Sequence, residues 1–459
     1  MKKIGFILTL SIVLLLSACS GNSAGTGNNV GNGGGDSKGE TKADKKTVVL
    51  SVMRKDRFLE NAARQFEEKH QDIHIEIKEY KASPEAPEGG MGVEAISLAD
   101  VEKYVQSVTT QVISGKGADL ILMNELPQDK FVAKKLLVNL NELMDKDKEN
   151  AIDRNALYDN ILKSSKDGKG LYVMPLSFSL DLVRGNTELL KEANVPVDKQ
   201  KPWSWAEFKE VAKKLKQQGY EGFGNLSSTQ LVFDYIEDNY AQLAGQGKPN
   251  FDSELFRGMM QEIKSMYDEG LLIDGMAGFS SDFSKTAFQM AGIYSTEELM
   301  MMPSNMEYYQ KPSAGGNKNG VPFKFIYSLG INSKSDVQPE AWAFIKYLLS
   351  DEMQASPELM GLPMNKGVAD QKFKEALQKL ENGELDQTIP KSIQPDVETA
   401  KKRIADVQKL ISEADFQRFS DMKVLMIAME EFNSFMNGQK SAEEVSKLIQ
   451  NRANTYLNE

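Results

Sequence analysis

Thr47-Val48-Val49-Leu50-Ser51-Val52-Met53 decides how the rest of this 459-residue chain is read. Its aliphatic and β-branched residues make a strand, and the spacing of Phe58, Leu59, Ala62, Ala63 and Phe66 directly behind it is that of a helix. A second strand returns, because Ile73, Ile75 and Ile77 alternate with His74, Glu76 and Lys78. Beyond a Pro/Gly-rich loop from Ser83 to Gly92, a helical pattern uses Val101, Tyr104, Val105, Val108 and Val112. It leads into Gly115-Lys116-Gly117-Ala118-Asp119-Leu120-Ile121-Leu122, a third strand. Strand, helix, strand, helix, strand opens an α/β fold.

Upstream of this block, residues 20–46 are rich in Gly, Ser and Asn and too poor in apolar side chains to pack a core. A coil of that composition has a root-mean-square reach of roughly 30 Å. It is preceded by Lys2, Lys3 and an apolar run over residues 4–16, too short to cross a hydrocarbon layer of roughly 30 Å as a helix. The run closes on Leu16-Ser17-Ala18-Cys19, which resembles a bacterial lipobox. The expectation is a signal peptide over residues 1–18, diacylglycerol on the Cys19 sulfur, and a flexible tether over 19–46. Cys19 is the only cysteine in the chain, so no disulfide framework is available.

Loss of Lys2 and Lys3 with the signal takes the formal charge from −11 to −13, which argues against a nucleic-acid partner. The remaining body is long enough for two domains with apolar cores. His70 and His74 are the only histidines, and the isoleucine alternation puts His74 in a strand, so no metal site is expected. Gly33-Gly34-Gly35 lies in the tether, and Gly115-Lys116-Gly117 lacks the spacing of a nucleotide loop. No cofactor is expected. The 66 acidic residues supply carboxylate pairs by chance, but no hydrolase motif accompanies them, and the chain is not read as an enzyme.

Beyond residue 183 helices dominate. Ser204-Trp205-Ala206-Glu207 and Ser441-Ala442-Glu443-Glu444 are capping boxes, and Pro339 stands at a helix start before the stripe Ala341, Phe344, Ile345 and Leu348. Residues 370–415 are rich in charge and are expected to be helical. Several of these segments together resemble the family 1 extracellular solute-binding proteins, the maltose-binding type of receptor for ABC importers. Gly115 to Leu120 is similar to the family's G-x-G-P-D strand entry, with Ala118 in place of proline. Tyr172-Val173-Met174-Pro175 followed by Asn186 resembles its crossover, with Gly185 in place of tyrosine. Pro202 to Phe208 resembles P-x-T-W-x-E-[LF], Lys285-Thr286-Ala287-Phe288 its G-k-a-A-M strand, and Gly330-Ile331-Asn332 with Ala341 to Ile345 its G-I segment and helix. Gly438 to Glu444 resembles its closing G-x-x-[ST]-x-x-E.

The resemblance implies an α/β, two-lobe periplasmic-binding-protein-like fold with three chain crossings, near 174–182, 324–329 and 361–366. The N-lobe would be 47–173 plus 328–361, and the C-lobe 182–325 plus 365–459. It also implies a monomeric lipoprotein on the outer face of the cytoplasmic membrane, holding a small polar solute, most commonly a carbohydrate, for a permease. A surface sensor or adhesion co-receptor built on the same fold remains the alternative, with a cleft hydrolase behind it. Loops beyond the strand ends of an open α/β sheet hold ligand, which nominates Arg54 and Asp56 after the first strand and Met123, Asn124 and Glu125 after the third. By resemblance, Ser177 and Ser179 lie in the first crossing, Tyr235 and Tyr294 offer aromatic rings, and Asn365 stands beside the third crossing. Trp203, Trp205 and Trp342 all fall in helix motifs, so stacking on a sugar face is expected of tyrosine.

Overall fold

In a computed structural model the described residues are 45–82, 97–147, 151–166, 168, 170–199, 201–224, 226–273, 283–314, 320–385, 390–391, 394–419 and 421–458. The signal peptide, Cys19, most of the tether and the Ser83 to Gly92 loop lie outside them. Among the described residues there are ten strands: β1 Lys46–Val52, β2 Ile73–Glu79, β3 Leu120–Leu122, β4 Met174–Asn186, β5 Glu221–Gly224, β6 Thr286–Gly292, β7 Met306–Gln310, β8 Val321–Ile331, β9 Leu362–Pro363 and β10 Ala414–Gln417. They run in the order β2-β1-β3-β8-β4-β6-β5, with β10 added to β8 and β7 and β9 added to β4.

The opening block folds as its pattern predicts. Val48, Leu50 and Val52 of β1 point into a core while β2 and β3 pair with it in parallel. The helix Arg57–Lys69 buries Phe58, Leu59, Ala62, Ala63 and Phe66 on one face. Its opposite face is polar, so it covers the sheet without exposing apolar surface. On the other side of the sheet Tyr104, Val105, Val108 and Val112 of the helix Leu98–Ile113 pack with Ile121 and Phe131. Asp119 ties this layer together: its carboxylate accepts from Val49 N at 2.9 Å and from Ser335 Oγ at 2.6 Å. Gly117 beside it has to be small, since a Cβ there would lie 2.6 Å from Val112 Cγ2.

Two long strands carry the chain from this lobe to the next. Met174 to Leu180 of β4 pair antiparallel with β8, whereas Asp181 to Gly185 pair with β6 and Leu182 to Asn186 with β7. β9 joins the opposite edge of β4 at Ser177 and Phe178. All three expected crossings therefore run side by side as β8, β4 and β9. Gly361 turns the chain into β9 with φ +86°, a left-handed conformation that favours glycine, and a Cβ there would meet Phe178 O at 2.9 Å.

The second lobe is built on β5, β6, β7 and the far half of β4. Its core holds Trp205, Phe208, Phe223, Tyr235, Met260, Phe288, Val424, Phe432 and Val445. Both capping boxes form: Ser204 Oγ accepts from Glu207 N at 3.1 Å, and Ser441 Oγ from Glu444 N at 3.2 Å. The charged segment 370–415 was expected to add helices to this lobe, and it forms the helices Lys366–Asn382 and Val397–Glu413. Their buried residues Phe373, Ala376, Ala400, Val407 and Ile411 share a core with Leu299, Met302 and Tyr308 of the second lobe and with the crossing strands. The buried Arg403 guanidinium fixes them there by donating to the carbonyls of Leu299, Met302, Pro303 and Met306.

Candidate ligand-binding cleft

Where the two lobes face each other beside the crossing strands lies a cavity of about 390 Å³. The first lobe contributes Met123 to Leu126 and Gln128, from the loop that β3 delivers. β8 contributes Lys324, Phe325 and Ser328, and the second lobe contributes Gln230, Phe233 and Glu237 with Gln417 to Phe419, Met422 and Leu425. The loop is held by Asn124. Its side-chain amide donates to Phe325 O and Ile326 O, and its Oδ1 accepts from Ser328 N at 3.1 Å and Ser328 Oγ at 3.2 Å. Asn124 thus fastens the first lobe's loop to a crossing strand and leaves Glu125 free to face the cavity. Among the described residues Glu125 makes no hydrogen bond; burial pushes its carboxyl above the ordinary value, and Lys324 offsets only part of that.

The opposite wall is one face of the helix Ser228–Asp238, started by Ser227 Oγ accepting from Gln230 N at 3.0 Å. Gln230, Phe233 and Glu237 recur at helical spacing and share a face. Tyr235 is about 200° around the helix from Phe233 by the 3.6-residue period. It is fully buried in the second lobe's core, its ring 6.1 Å from that of Trp205 and its hydroxyl donating to Glu262 Oε2 at 2.7 Å. The expectation that Tyr235 presents a ring to the cleft is corrected by this helical phase. The aromatic rings that line the cavity are those of Phe233, Phe325 and Phe419, all partly exposed.

Beneath this wall lies a charge network centred on Arg418, which is fully buried. Its guanidinium reaches Asp181, Asp234 Oδ1 at 3.0 Å, Asp238 Oδ1 at 2.9 Å and Glu237 Oε2 at 3.4 Å. Lys311 lies 2.7 Å from Asp181 and 3.0 Å from Asp234, and Lys324 lies 3.0 Å from Glu237. Burial opposes ionisation of Asp181 and Asp234, but Lys311 and Arg418 outweigh it and hold both carboxyls below the ordinary range. For Asp238 burial prevails over the same two cations and the carboxyl is raised. The network joins β4, β8, the segment after β10 and one helix, so it fixes the floor of the cleft.

The lobes also meet outside this cavity. Lys423 pairs with Glu102, Lys130 Nζ donates to Tyr456 O at 3.2 Å, and Met422 packs against the Tyr104 layer of the first lobe.

The profile of the bacterial extracellular solute-binding proteins matches residues 52–355. The chain belongs to this family. Solved structures agree in fold. An ABC substrate-binding protein from Listeria monocytogenes in complex with cycloalternan is 17% identical, with a TM-score of 0.56 over 90% of this chain and 100% of that one. Maltose-bound MalE3 of T. maritima is 16% identical, with a TM-score of 0.55 over 89% and 99%. A chitin oligosaccharide binding protein is 15% identical, with a TM-score of 0.58 over 91% and 100%. Among the described residues no helix is long and apolar enough to cross a membrane, and no group of three or more His, Cys, Asp and Glu could hold a metal ion.

Of the candidates read from the sequence of this solute-binding protein, Met123, Asn124 and Glu125 line the cavity. Arg54 stands after β1, outside the cavity lining. Asp56 caps the helix Arg57–Lys69 by accepting from Leu59 N at 2.9 Å, with its carboxyl raised by burial. In the first crossing Ser177 Oγ donates to Met360 O at 2.7 Å, and Ser179 Oγ accepts from Ile293 N at 3.0 Å. Asn365 caps the helix Lys366–Asn382 and donates to Asp351 Oδ1 at 2.7 Å. Tyr294 is 45% exposed beside the third crossing, where its carbonyl accepts from Gly361 N at 2.7 Å. Gln230, Phe233, Glu237, Lys324 and Arg418 were not nominated. The charged run after Phe233 carried a signal, since three acids within five residues on a helix with a core face need nearby cations.

Proposed function

We propose that this solute-binding protein captures a small polar solute, a carbohydrate, between its two lobes and presents it to the permease of an ABC importer. The observation that carries the reading is the cavity itself: polar and charged side chains from both lobes converge with Phe233, Phe325 and Phe419 on a space of about 390 Å³. Sugars present alternating hydroxyl edges and C–H faces, and such a lining meets both. The ligands bound by the similar structures, cycloalternan, maltose and chitin oligosaccharide, support the same class. Binding needs no covalent chemistry, so no catalytic residue is assigned. Tyr294 would act at the rim, and Arg54 would reach ligand only if the lobes part further.

In this reading residues 47–173 with 328–361 form the N-lobe and 182–325 with 365–459 the C-lobe, and β4, β8 and β9 act as hinges. Ligand shifts the equilibrium toward the closed form only by its preference for that form, which contacts from both lobes supply. Cys19 would carry the lipid that holds the monomeric body at the outer face of the cytoplasmic membrane. Two experiments test the reading. A carbohydrate panel should contain a compound that raises the melting temperature, by about 2.7 kcal/mol of stabilisation at 100 times its dissociation constant, and that lowers the radius of gyration in small-angle scattering. Turnover of that compound into product, or an unchanged radius on binding, would refute it. Cys19→Ala should release folded protein from membranes; retention would remove the lipid anchor from the proposal.

A further inference from the structure

Beside the ligand cavity the lobes touch a second time. The first lobe brings the helix Leu98–Ile113 and the short helix Gln128–Ala133, and the second brings the helices Met422–Met436 and Ala442–Asn458. Glu102 of the first lobe forms an ion pair with Lys423 of the second. Lys130 Nζ donates to Tyr456 O at 3.2 Å and stands 4.5 Å from the centre of the Tyr456 ring. None of these four residues lines the cavity of about 390 Å³. They therefore bias the lobes toward each other by the same amount whether or not a ligand is held.

Two features make this contact separable rather than part of a fused core. The helices do not pack tightly: a space of about 510 Å³ lies between them with Gln106, Thr109 and Thr455 on its walls, and Thr109 Oγ1 is buried without a hydrogen-bond partner among the described residues. Parting the helices gives up little apolar contact and lets water reach that hydroxyl. The charges are also one-sided. Glu102 is the only carboxylate on the walls of this space, against Lys130, Lys423 and Arg452. Arg452 is already held within its own lobe by Glu430 and by Glu431 at 3.0 Å. Glu102 and Lys423 are thus the opposite charges that separate when the lobes part here.

We propose that Glu102 and Lys423, supported by Lys130 and Tyr456, form a latch that sets how far the lobes rest closed before ligand arrives, and so tunes affinity from outside the ligand cavity. The inference rests on the two-lobe reading in which β4, β8 and β9 act as hinges. Apparent affinity scales with the fraction of protein in the binding-competent state. A weakened latch therefore lowers affinity without altering any group that lines the cavity.

The test needs no ligand. Cys19→Ala removes the only native thiol. Lys116→Cys and Gln439→Cys, at exposed positions just beyond the two helices that carry the ion pair, then take spin labels whose separation is read by pulsed EPR. Lys423→Gln should raise the ratio of open to closed lobes about fivefold, the upper range for a partly exposed pair. Glu102→Lys should raise it further, because it sets a fourth cation among three. Reversing the pair, Glu102→Lys with Lys423→Glu, should return the ratio to within about twofold of the parent. At about 1 M salt the parent should shift toward the open form while Lys423→Gln hardly moves. Melting temperatures should change little, since each lobe keeps its own core; a purely structural pair would lower them and leave the separation alone. If the single substitutions leave the separation unchanged, or the reversed pair stays open, the latch is wrong. Maltose, chitobiose and tagatose added to the parent form a separate arm. A change of separation with any of them keeps the hinge reading even where the latch falls, and no change with any sugar or any variant overturns both.

Discussion

Asp421→Asn offers a quantitative check on the packing between the lobes. Asp421 is fully buried at the start of the helix Met422–Met436, where one carboxylate oxygen accepts from Lys423 N at 3.0 Å and from the Tyr456 hydroxyl at 3.2 Å. The other oxygen has no hydrogen-bond partner among the described residues. Burial first, and then the charge of Asp129 from the facing lobe, push this carboxyl up to about 6 from an ordinary 3.8. The folded state therefore holds a proton that the unfolded state has released at pH 5, and stability falls as pH rises through that window. At one unit per 1.36 kcal/mol the group costs about 3 kcal/mol at neutral pH, of which about 1.3 kcal/mol appears between pH 5 and pH 7. Asparagine keeps the accepting oxygen and cannot ionise. Its unpaired amide adds a cost of about 1 kcal/mol that does not depend on pH and so cancels between two pH values. With an unfolding entropy of about 0.9 kcal/mol/K for a body of this size, the melting temperature of the variant relative to the parent should rise by about 1–2 °C from pH 5 to pH 7. A difference that is constant, or larger at pH 5, would show that Asp421 titrates as an ordinary solvated carboxylate and that the lobes do not close over it.

Three further outcomes follow from the cleft. Tyr235→Phe should cost about 1 kcal/mol of stability by urea denaturation, for the lost bond to Glu262, while calorimetric ligand affinity stays unchanged; a fall in affinity without a fall in stability would put the ring back in the site. Phe233→Ala should do the reverse, weakening ligand by about 1–3 kcal/mol with little change in melting temperature, and equal loss of both would make Phe233 core. Arg418→Met should destabilise by about 3–5 kcal/mol, because it leaves Asp181, Asp234 and Asp238 buried with too few partners. An unchanged urea midpoint would mean that water reaches the network.

The fold was legible where local pattern and tertiary need agree. The isoleucine alternation fixes which face of β2 turns to the core beside β1, and Asp119 closes the layer because its carboxylate holds β1 and the Ser335 turn at once. A capping box is equally local: Ser204 and Glu207 satisfy each other before any other part of the chain is consulted. The charged segment 370–415 was harder, because a helix pattern states which face is apolar but not which core receives it. Arg403 settles that through four carbonyls about 100 residues away in sequence, a contact that leaves no periodic trace.

The cleft was legible on one side only, for the same reason. Loops after parallel strands point outward by topology, so Met123 to Glu125 could be named from the strand alone. The helix Ser228–Asp238 has aromatic residues on both faces, and choosing Tyr235 over Phe233 turned on a rotation of two residues that composition does not decide. The acids on that helix make sense only with Arg418, which arrives from a segment 180 residues later in sequence, and with Lys324 on a crossing strand. Since β8 passes from one lobe to the other, Lys324 meets Glu237 on one side and faces Glu125 on the other whenever the lobes are together. Charge and closure are thereby coupled at a residue that the sequence presents as one lysine in an apolar strand.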